Sequence, residues 1–175
     1  MAKITINGEQ VKVKNGSTIL QAAKKLGIDI PTLCFIEEIN EIGFCRICVV
    51  EVEGQRTLQT ACSYPVTQPI TVHTHTSKVR KARRHILDLM LSKHYGECYA
   101  CFRNNNCELQ ALAYRFGITA PKYPFMFPRR ELDGSHPDIF VDRNRCILCG
   151  RCVRASEQLD GKSVFGFVGR GIEKR

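Results

Sequence analysis

The chain has 175 residues, 43% of them hydrophobic, with a formal net charge of +9 and ten cysteines. That length holds one large domain or two to three small ones. No apolar run reaches the about 18 residues of a membrane-spanning helix. The start, Met1-Ala2-Lys3-Ile4-Thr5, enters a strand pattern with no signal-peptide h-region. A reducing location, cytoplasmic or peripheral to a membrane, is therefore expected. There, closely spaced cysteines bind metal or do redox chemistry more often than they form disulfides.

Ile4-Thr5-Ile6 and Val11-Lys12-Val13 alternate as strands around Asn7-Gly8, a hairpin signal because both residues tolerate positive φ. Ser17 and Thr18 offer an N-cap for a short helix through Ile19, Leu20, Ala23 and Leu26, which Gly27 closes. A cysteine loop follows Pro31. Val49 to Val52 forms a strand, Glu53-Gly54 a turn, and Leu58 to Cys62 another strand. Hairpin, helix, cysteine loop and hairpin predict a β-grasp arrangement over residues 1–77.

From residue 78, Val79, Ala82, Ile86, Leu89 and Met90 recur at helical spacing, with Lys78, Arg80, Lys81, Arg83 and Arg84 on the other face. This helix is expected to end near Tyr95-Gly96. A second, from Cys107, carries Leu109, Leu112, Ala113 and Phe116 on one stripe and stops at Gly117. Pro121, Pro124, Pro128 and Pro137 mark residues 119–137 as an extended linker, with Phe125 and Phe127 as its anchors. Residues 138–175 predict a short strand at Ile139-Phe140-Val141, a helix after Cys149 through Glu157, and a terminal β-hairpin from Ser163. The expected class is α+β.

Every cysteine falls into one of three groups, which points to metal. Cys34, Cys45, Cys48 and Cys62 have the spacing Cys-x10-Cys-x2-Cys-x13-Cys. Four thiolates suit a 2Fe-2S cluster. A four-cysteine zinc site is the weaker alternative, because such sites usually pair two Cys-x2-Cys units. His94, Cys98, Cys101 and Cys107 form the second group, His-x3-Cys-x2-Cys-x5-Cys. It can hold zinc or a 4Fe-4S cluster with one imidazole ligand. His94 has the right distance from Cys98, which sets it apart from His73, His75, His85 and His136. The third group, Cys146-x2-Cys149-x2-Cys152, is the run that bacterial ferredoxins use for a 4Fe-4S cluster. Ser156-Glu157 stands where that run has a fourth cysteine and proline, and no cysteine follows. The remaining ligand is expected beyond residue 175, or the site has three cysteines. A ligand from Ser156 or from a partner is a rarer solution.

Three stretches carry a resemblance. Gly16-x-Thr18-Ile19-Leu20-x-Ala22-Ala23, Ile30-Pro31-Thr32-Leu33-Cys34 and Cys45-Arg46-Ile47-Cys48-Val49-Val50-Glu51-Val52 resemble the two-iron domain at the start of the large iron–sulfur subunit of respiratory complex I. The same start occurs in iron-only hydrogenases, NAD-linked formate dehydrogenases and the small iron–sulfur subunit of NAD-reducing hydrogenases. His94-Cys98-Cys101-Cys107 is similar to the histidine-ligated four-iron domain that follows in them. Arg145-Cys146-Ile147-Leu148-Cys149-Gly150-Arg151-Cys152-Val153-Arg154 looks like the next cluster domain.

The resemblance implies a modular relay of single electrons between a flavin subunit that exchanges hydride with NAD(H) and a catalytic subunit of hydrogenase or formate dehydrogenase type. The chain would carry no catalytic site of its own. Alternatively, it is the N-terminal relay region of a larger catalytic subunit. The short gap between Cys48 and Cys62 is closer to the hydrogenase and formate dehydrogenase branches, and Ser156 argues against a second ferredoxin-type cluster behind the third group. No Gly-x-Gly-x-x-Gly follows a strand, so no dinucleotide site is expected. The excess of Lys and Arg compensates cluster thiolates, and Lys78 to Arg84 is either a docking face for an acidic partner or a solvated helix face. No basic stretch interleaved with aromatics favours nucleic acid. A zinc-stabilised interaction protein is the remote alternative.

Overall fold

The computed structural model describes residues 1–175 except Tyr95, Pro121, Phe127 and Pro128. The expected anchor Phe127, two of the linker prolines and the Tyr95 end of the basic helix thus lie outside the described residues. The chain divides into two compact units, Met1–Ile86 and Leu87–Arg175. Its class is α+β, as expected.

The first unit is built on a five-stranded mixed sheet. Strands β1 (Ala2–Ile6) and β2 (Glu9–Val13) pair antiparallel, with Ala2 opposite Val13 and Ile6 opposite Glu9. Asn7 and Gly8 turn between them with φ of 51° and 95°. Strand β3 spans Val49–Val52, β4 Gln59–Thr60 and β5 Ile70–His73. The order is β2-β1-β5-β3-β4, with β5 parallel to β1 and antiparallel to β3. The central strand β5 is absent from the sequence expectations. The expected strand from Leu58 to Cys62 shortens to the two residues of β4. Beyond it the chain turns at once, as Ser63 and Tyr64 both donate their amides to the Thr60 carbonyl.

Helix α1 (Ile19–Lys25) starts with a capping box: Thr18 accepts from the Gln21 amide and Gln21 accepts from the Thr18 amide. Its apolar side chains Ile19, Leu20, Ala22 and Ala23 join one core with Ile4, Ile6, Val13, Val50, Val52 and Val72. Burying each large aliphatic among these contributes about 1.5–3 kcal/mol. Cys48 and Cys62 belong to the same core. The first donor group is therefore set into the fold, not carried on its surface.

Helix α2 runs from Ser77 to Lys93. Its basic face is smaller than expected. Arg83 is only 2% exposed and donates from Nη2 to the Val49 carbonyl at 2.8 Å. It follows the buried Val79 by four residues, so it lies on the helix face turned to the sheet. Lys78, Arg80, Lys81 and Arg84 remain exposed. Arg83→Ala is expected to lower stability by about 2–4 kcal/mol, from a lost charged hydrogen bond and a cavity. A chemical denaturation midpoint checks this, and a change below about 0.5 kcal/mol would contradict it.

The second unit has little regular structure. Helix α3 covers Glu108–Arg115 and α4 Arg151–Gln158. Leu109, Leu112, Ala113 and Ile118 are buried. The expected strand at Ile139–Val141 is instead a single bridge, in which Asp133 and Val141 exchange backbone hydrogen bonds. The expected terminal hairpin is a 3₁₀ turn at Gly171–Glu173, closed by reciprocal bonds between Val168 and Arg175. Gly169 and Gly171, at φ of 75° and 57°, bend the chain too sharply for a ladder. Phe125 is half exposed, and the linker is tied through the Met126 amide to the Ser92 carbonyl.

Candidate iron–sulfur sites

The first group converges from three loops: Cys34 after α1, Cys45 and Cys48 before β3, and Cys62 after β4. All four cysteines are buried. The Cys48 and Cys62 sulfurs lie 3.3 Å apart, and the Cys45 amide donates to the Cys34 sulfur at 3.4 Å. Backbone amides act on the thiols as well: Phe44 favours the thiolate of Cys34, Ile47 that of Cys45 and Gly43 that of Cys62. The hydrogen bond it shares with Cys34 pulls the Cys45 thiol down to about 6, and the bond shared with Cys62 lowers Cys48. Their partners Cys34 and Cys62 are pushed up by the same bonds and by burial. One thiol of each pair is thus shifted toward the thiolate, the form that binds metal.

The loop geometry explains these amides. Gly43 has φ of 64°, and a Cβ there would stand 2.8 Å from Thr60 Oγ1 and 2.9 Å from Ser63 Oγ. Arg46 also adopts positive φ, at 62°. The buried Asn40 clamps the loop, donating from Nδ2 to the Cys34 carbonyl at 2.6 Å. Sequence reasoning missed Asn40, Thr60 and Ser63. No spacing rule marks residues that hold a loop without touching a metal.

In the second group His94 follows α2, and Cys98 and Cys101 bracket the 3₁₀ turn Cys98–Ala100. Cys107 is the N-cap of α3. The three cysteines are half-buried. Gln110 organises the intervening loop, accepting from the Asn105 amide and donating to Asn104 Oδ1, both at 2.9 Å. The His94 ring nitrogen Nδ1 is buried with no hydrogen-bond partner among the described residues. A buried orphan nitrogen is costly unless a ligand meets it. Burial, and then the nearby Arg145, lower the His94 pKa, so its imidazole is neutral at pH 7 with a lone pair to give.

The third group is the most open. Cys146 follows the 3₁₀ turn Arg143–Arg145, and Cys149 and Cys152 flank the start of α4. Leu148, at φ of 56°, donates its amide to the Cys146 sulfur at 3.3 Å. Burial raises the Cys149 thiol. Cys146 and Cys152 open onto a cavity of about 330 Å³ whose walls include Leu148, Val153, Phe165 and Phe167. Ser156 is buried, and its Oγ accepts from the Val164 amide at 2.9 Å while its carbonyl accepts from Lys162 and Ser163. It shapes the chain that walls this cavity. Among the described residues, no three His, Cys, Asp or Glu side chains converge on a single ion.

The donor chemistry fits iron–sulfur clusters: buried thiols with a backbone amide on the Cys34 sulfur in the first group, a buried imidazole in the second, and a cavity onto which Cys146 and Cys152 open in the third. Fold and donor sets define an iron–sulfur electron-transfer protein. Residues 1–77 match the family model of the 2Fe-2S iron-sulfur cluster binding domain. Residues 83–122 match the NADH-ubiquinone oxidoreductase-G iron-sulfur binding region, and residues 136–175 the ferredoxin-like domain of NADH-quinone oxidoreductase subunit 3.

The NADP-reducing hydrogenase subunit HndD of Solidesulfovibrio fructosivorans is 42% identical over 98% of this chain and 30% of its own length. The gamma subunit of the NAD-reducing hydrogenase HoxS of Cupriavidus necator is 30% identical over 99% of this chain and 74% of its own. A crystal structure of an NAD+-reducing NiFe hydrogenase in the H2-reduced state contains a chain with 38% identity and a TM-score of 0.92, over 99% of this chain and 73% of that one. The chain belongs to the family of iron–sulfur electron relays shared by NAD-reducing hydrogenases and the N-terminal region of the large iron–sulfur subunit of complex I. It has one 2Fe-2S and two 4Fe-4S binding domains. It spans less than a third of the length of HndD. Among the described residues, no helix is long and apolar enough to cross a membrane.

Proposed function

We propose that the chain carries single electrons between a flavin subunit that exchanges hydride with NAD(H) and a catalytic oxidoreductase subunit of hydrogenase or formate dehydrogenase type, in a cytoplasmic or membrane-peripheral complex. Cys34, Cys45, Cys48 and Cys62 hold the 2Fe-2S cluster. His94, Cys98, Cys101 and Cys107 hold one 4Fe-4S cluster, and Cys146, Cys149 and Cys152 supply three ligands to the other. The modules are residues 1–77, 78–118 and 138–175, with 119–137 as linker. The observation that carries this reading is the buried convergence of Cys34, Cys45, Cys48 and Cys62, in a chain with two further donor groups.

When bound, the clusters take up and release one electron at a time. The chain's own residues do the rest. Thiolates neutralise iron charge, and amides on their sulfurs stabilise the more negative reduced state. Burial of the first group excludes water. At the second group a neutral imidazole replaces one anionic thiolate, which raises the potential. His94→Cys adds one negative charge there and is expected to lower the potential of that centre, read by redox titration of the purified complex. An unchanged potential would remove His94 from the ligand set.

A second reading makes the chain the N-terminal relay region of a larger catalytic subunit. The observation in its favour is the match to HndD, which covers 98% of this chain and 30% of that protein. The intact mass of the native polypeptide distinguishes the two. A mass near 19.8 kDa supports the separate subunit, and a much larger one the relay region.

A further inference from the structure

The second unit holds a charged cavity that the three donor groups leave unused. It encloses about 690 Å³, within the range of small-molecule sites. Arg129, Arg130, Arg143 and Arg175 line it, against two carboxylates, Glu131 and Glu173. Among the described residues, neither glutamate pairs with these arginines, and the one carboxylate in reach is Asp133, 3.5 Å from Arg143. The backbone holds the set in place. Asn144 exchanges hydrogen bonds with the Arg130 backbone at 2.8 and 2.9 Å. Arg130 Nη2 donates to the Ile172 and Lys174 carbonyls at 3.4 and 3.2 Å, which fixes the guanidinium without cancelling its charge. Reciprocal amide–carbonyl bonds of 2.8 and 2.9 Å set Arg175 opposite Val168. Val168 joins Val164 and Phe165 as an apolar wall of the same cavity.

We propose that this cavity binds a phosphorylated small molecule through a di- or triphosphate group, with the apolar wall against its organic part. The proposal is independent of the cluster ligand assignment. Four guanidiniums around one space repel each other and call for a ligand of several negative charges. Guanidinium forks match phosphate oxygens two at a time, and a chain of phosphates offers several such pairs where a single carboxylate offers one. Because Arg130 and Arg175 are already tied to the backbone, little side-chain freedom is lost on binding. The site needs no glycine-rich loop, since side chains and not backbone amides meet the phosphates. Binding is non-covalent, and no bond forms or breaks.

The test is isothermal titration calorimetry of the purified native complex with inorganic tripolyphosphate, for wild type, Arg129→Gln and Arg143→Gln. Wild type binds the probe, and each variant binds it at least tenfold more weakly. No binding to wild type, or equal binding to wild type and both variants, overturns the proposal. A complex that binds a polyglutamate peptide but not tripolyphosphate overturns it too, and makes the face a seat for acidic protein. Titration with ATP separates the sources of the phosphate. Tighter binding of ATP than of tripolyphosphate upholds a nucleotide-like ligand against the apolar wall, and equal binding upholds a bare polyphosphate. Should the variants fail to fold, the wild-type complex gives the answer. Tripolyphosphate protects Arg129 and Arg143 from phenylglyoxal, read by peptide mass spectrometry, and unprotected arginines overturn the proposal.

Discussion

Cys62→Ala eliminates the two-iron centre and unfolds much of the first unit. Cys62 is fully buried, sits in the same apolar core as Ile4, Val50 and Val72, and faces the Cys48 sulfur at 3.3 Å. Metal held by thiolates in a small domain contributes folding energy directly, on the order of 10 kcal/mol for structural sites. On the proposed ligand assignment, the bound metal would join the loop after α1, the loop before β3 and the turn after β4. Its loss frees all three and leaves Cys34, Cys45 and Cys48 as buried thiols without a partner of opposite charge. Iron analysis is expected to show two fewer irons per chain, with the four-iron signals retained and thermal unfolding of the first unit at a much lower temperature. A two-iron signal of wild-type intensity would show that Cys62 is not a ligand.

Gly43→Ala weakens the same centre without touching a ligand. The left-handed conformation at φ of 64° costs a residue with a Cβ about 1–2 kcal/mol. That Cβ also meets Thr60 Oγ1 at 2.8 Å and Ser63 Oγ at 2.9 Å, two hydroxyls already locked together at 2.6 Å. Overpacking of this kind costs about 1–3 kcal/mol more. The Gly43 amide, which favours the Cys62 thiolate, moves with the loop. The total, about 2–5 kcal/mol, corresponds to more than a tenfold effect. Bleaching of the two-iron absorbance by an iron chelator is expected to accelerate at least tenfold. An unchanged rate would mean that the loop relaxes around the new methyl group.

Local signals in the chain translate well into structure. Asn7-Gly8 makes the expected hairpin, and Thr18 caps α1 with the predicted stop just beyond it, because each needs only neighbouring residues. The four cysteines of the first group, which the structure buries together, show in the sequence through the Cys45-x2-Cys48 pair of one loop, although Cys34 and Cys62 come from other loops. Features that depend on distant partners were not legible. Strand β5 reads as Ile70-Thr71-Val72-His73 between Pro69 and a polar stretch, too short and mixed to stand out. It is a strand because β1 and β3 lie on either side of it. Residues 139–141 have strand composition but find only one pairing position, opposite Asp133. Arg83 looks like one more solvated charge in a basic helix, and its burial and its hydrogen bond to the Val49 carbonyl show otherwise. Asn40 holds the Cys34 loop through a contact that no motif encodes.

The most direct test of the central claim is Mössbauer spectroscopy of the anaerobically purified, 57Fe-enriched protein, combined with analysis of acid-labile sulfide and zinc. The expected result is one two-iron and two four-iron clusters per chain, with sulfide equal to iron and no stoichiometric zinc. A colourless protein with zinc in place of iron, and no labile sulfide, would contradict the electron-relay reading and make these cysteines structural.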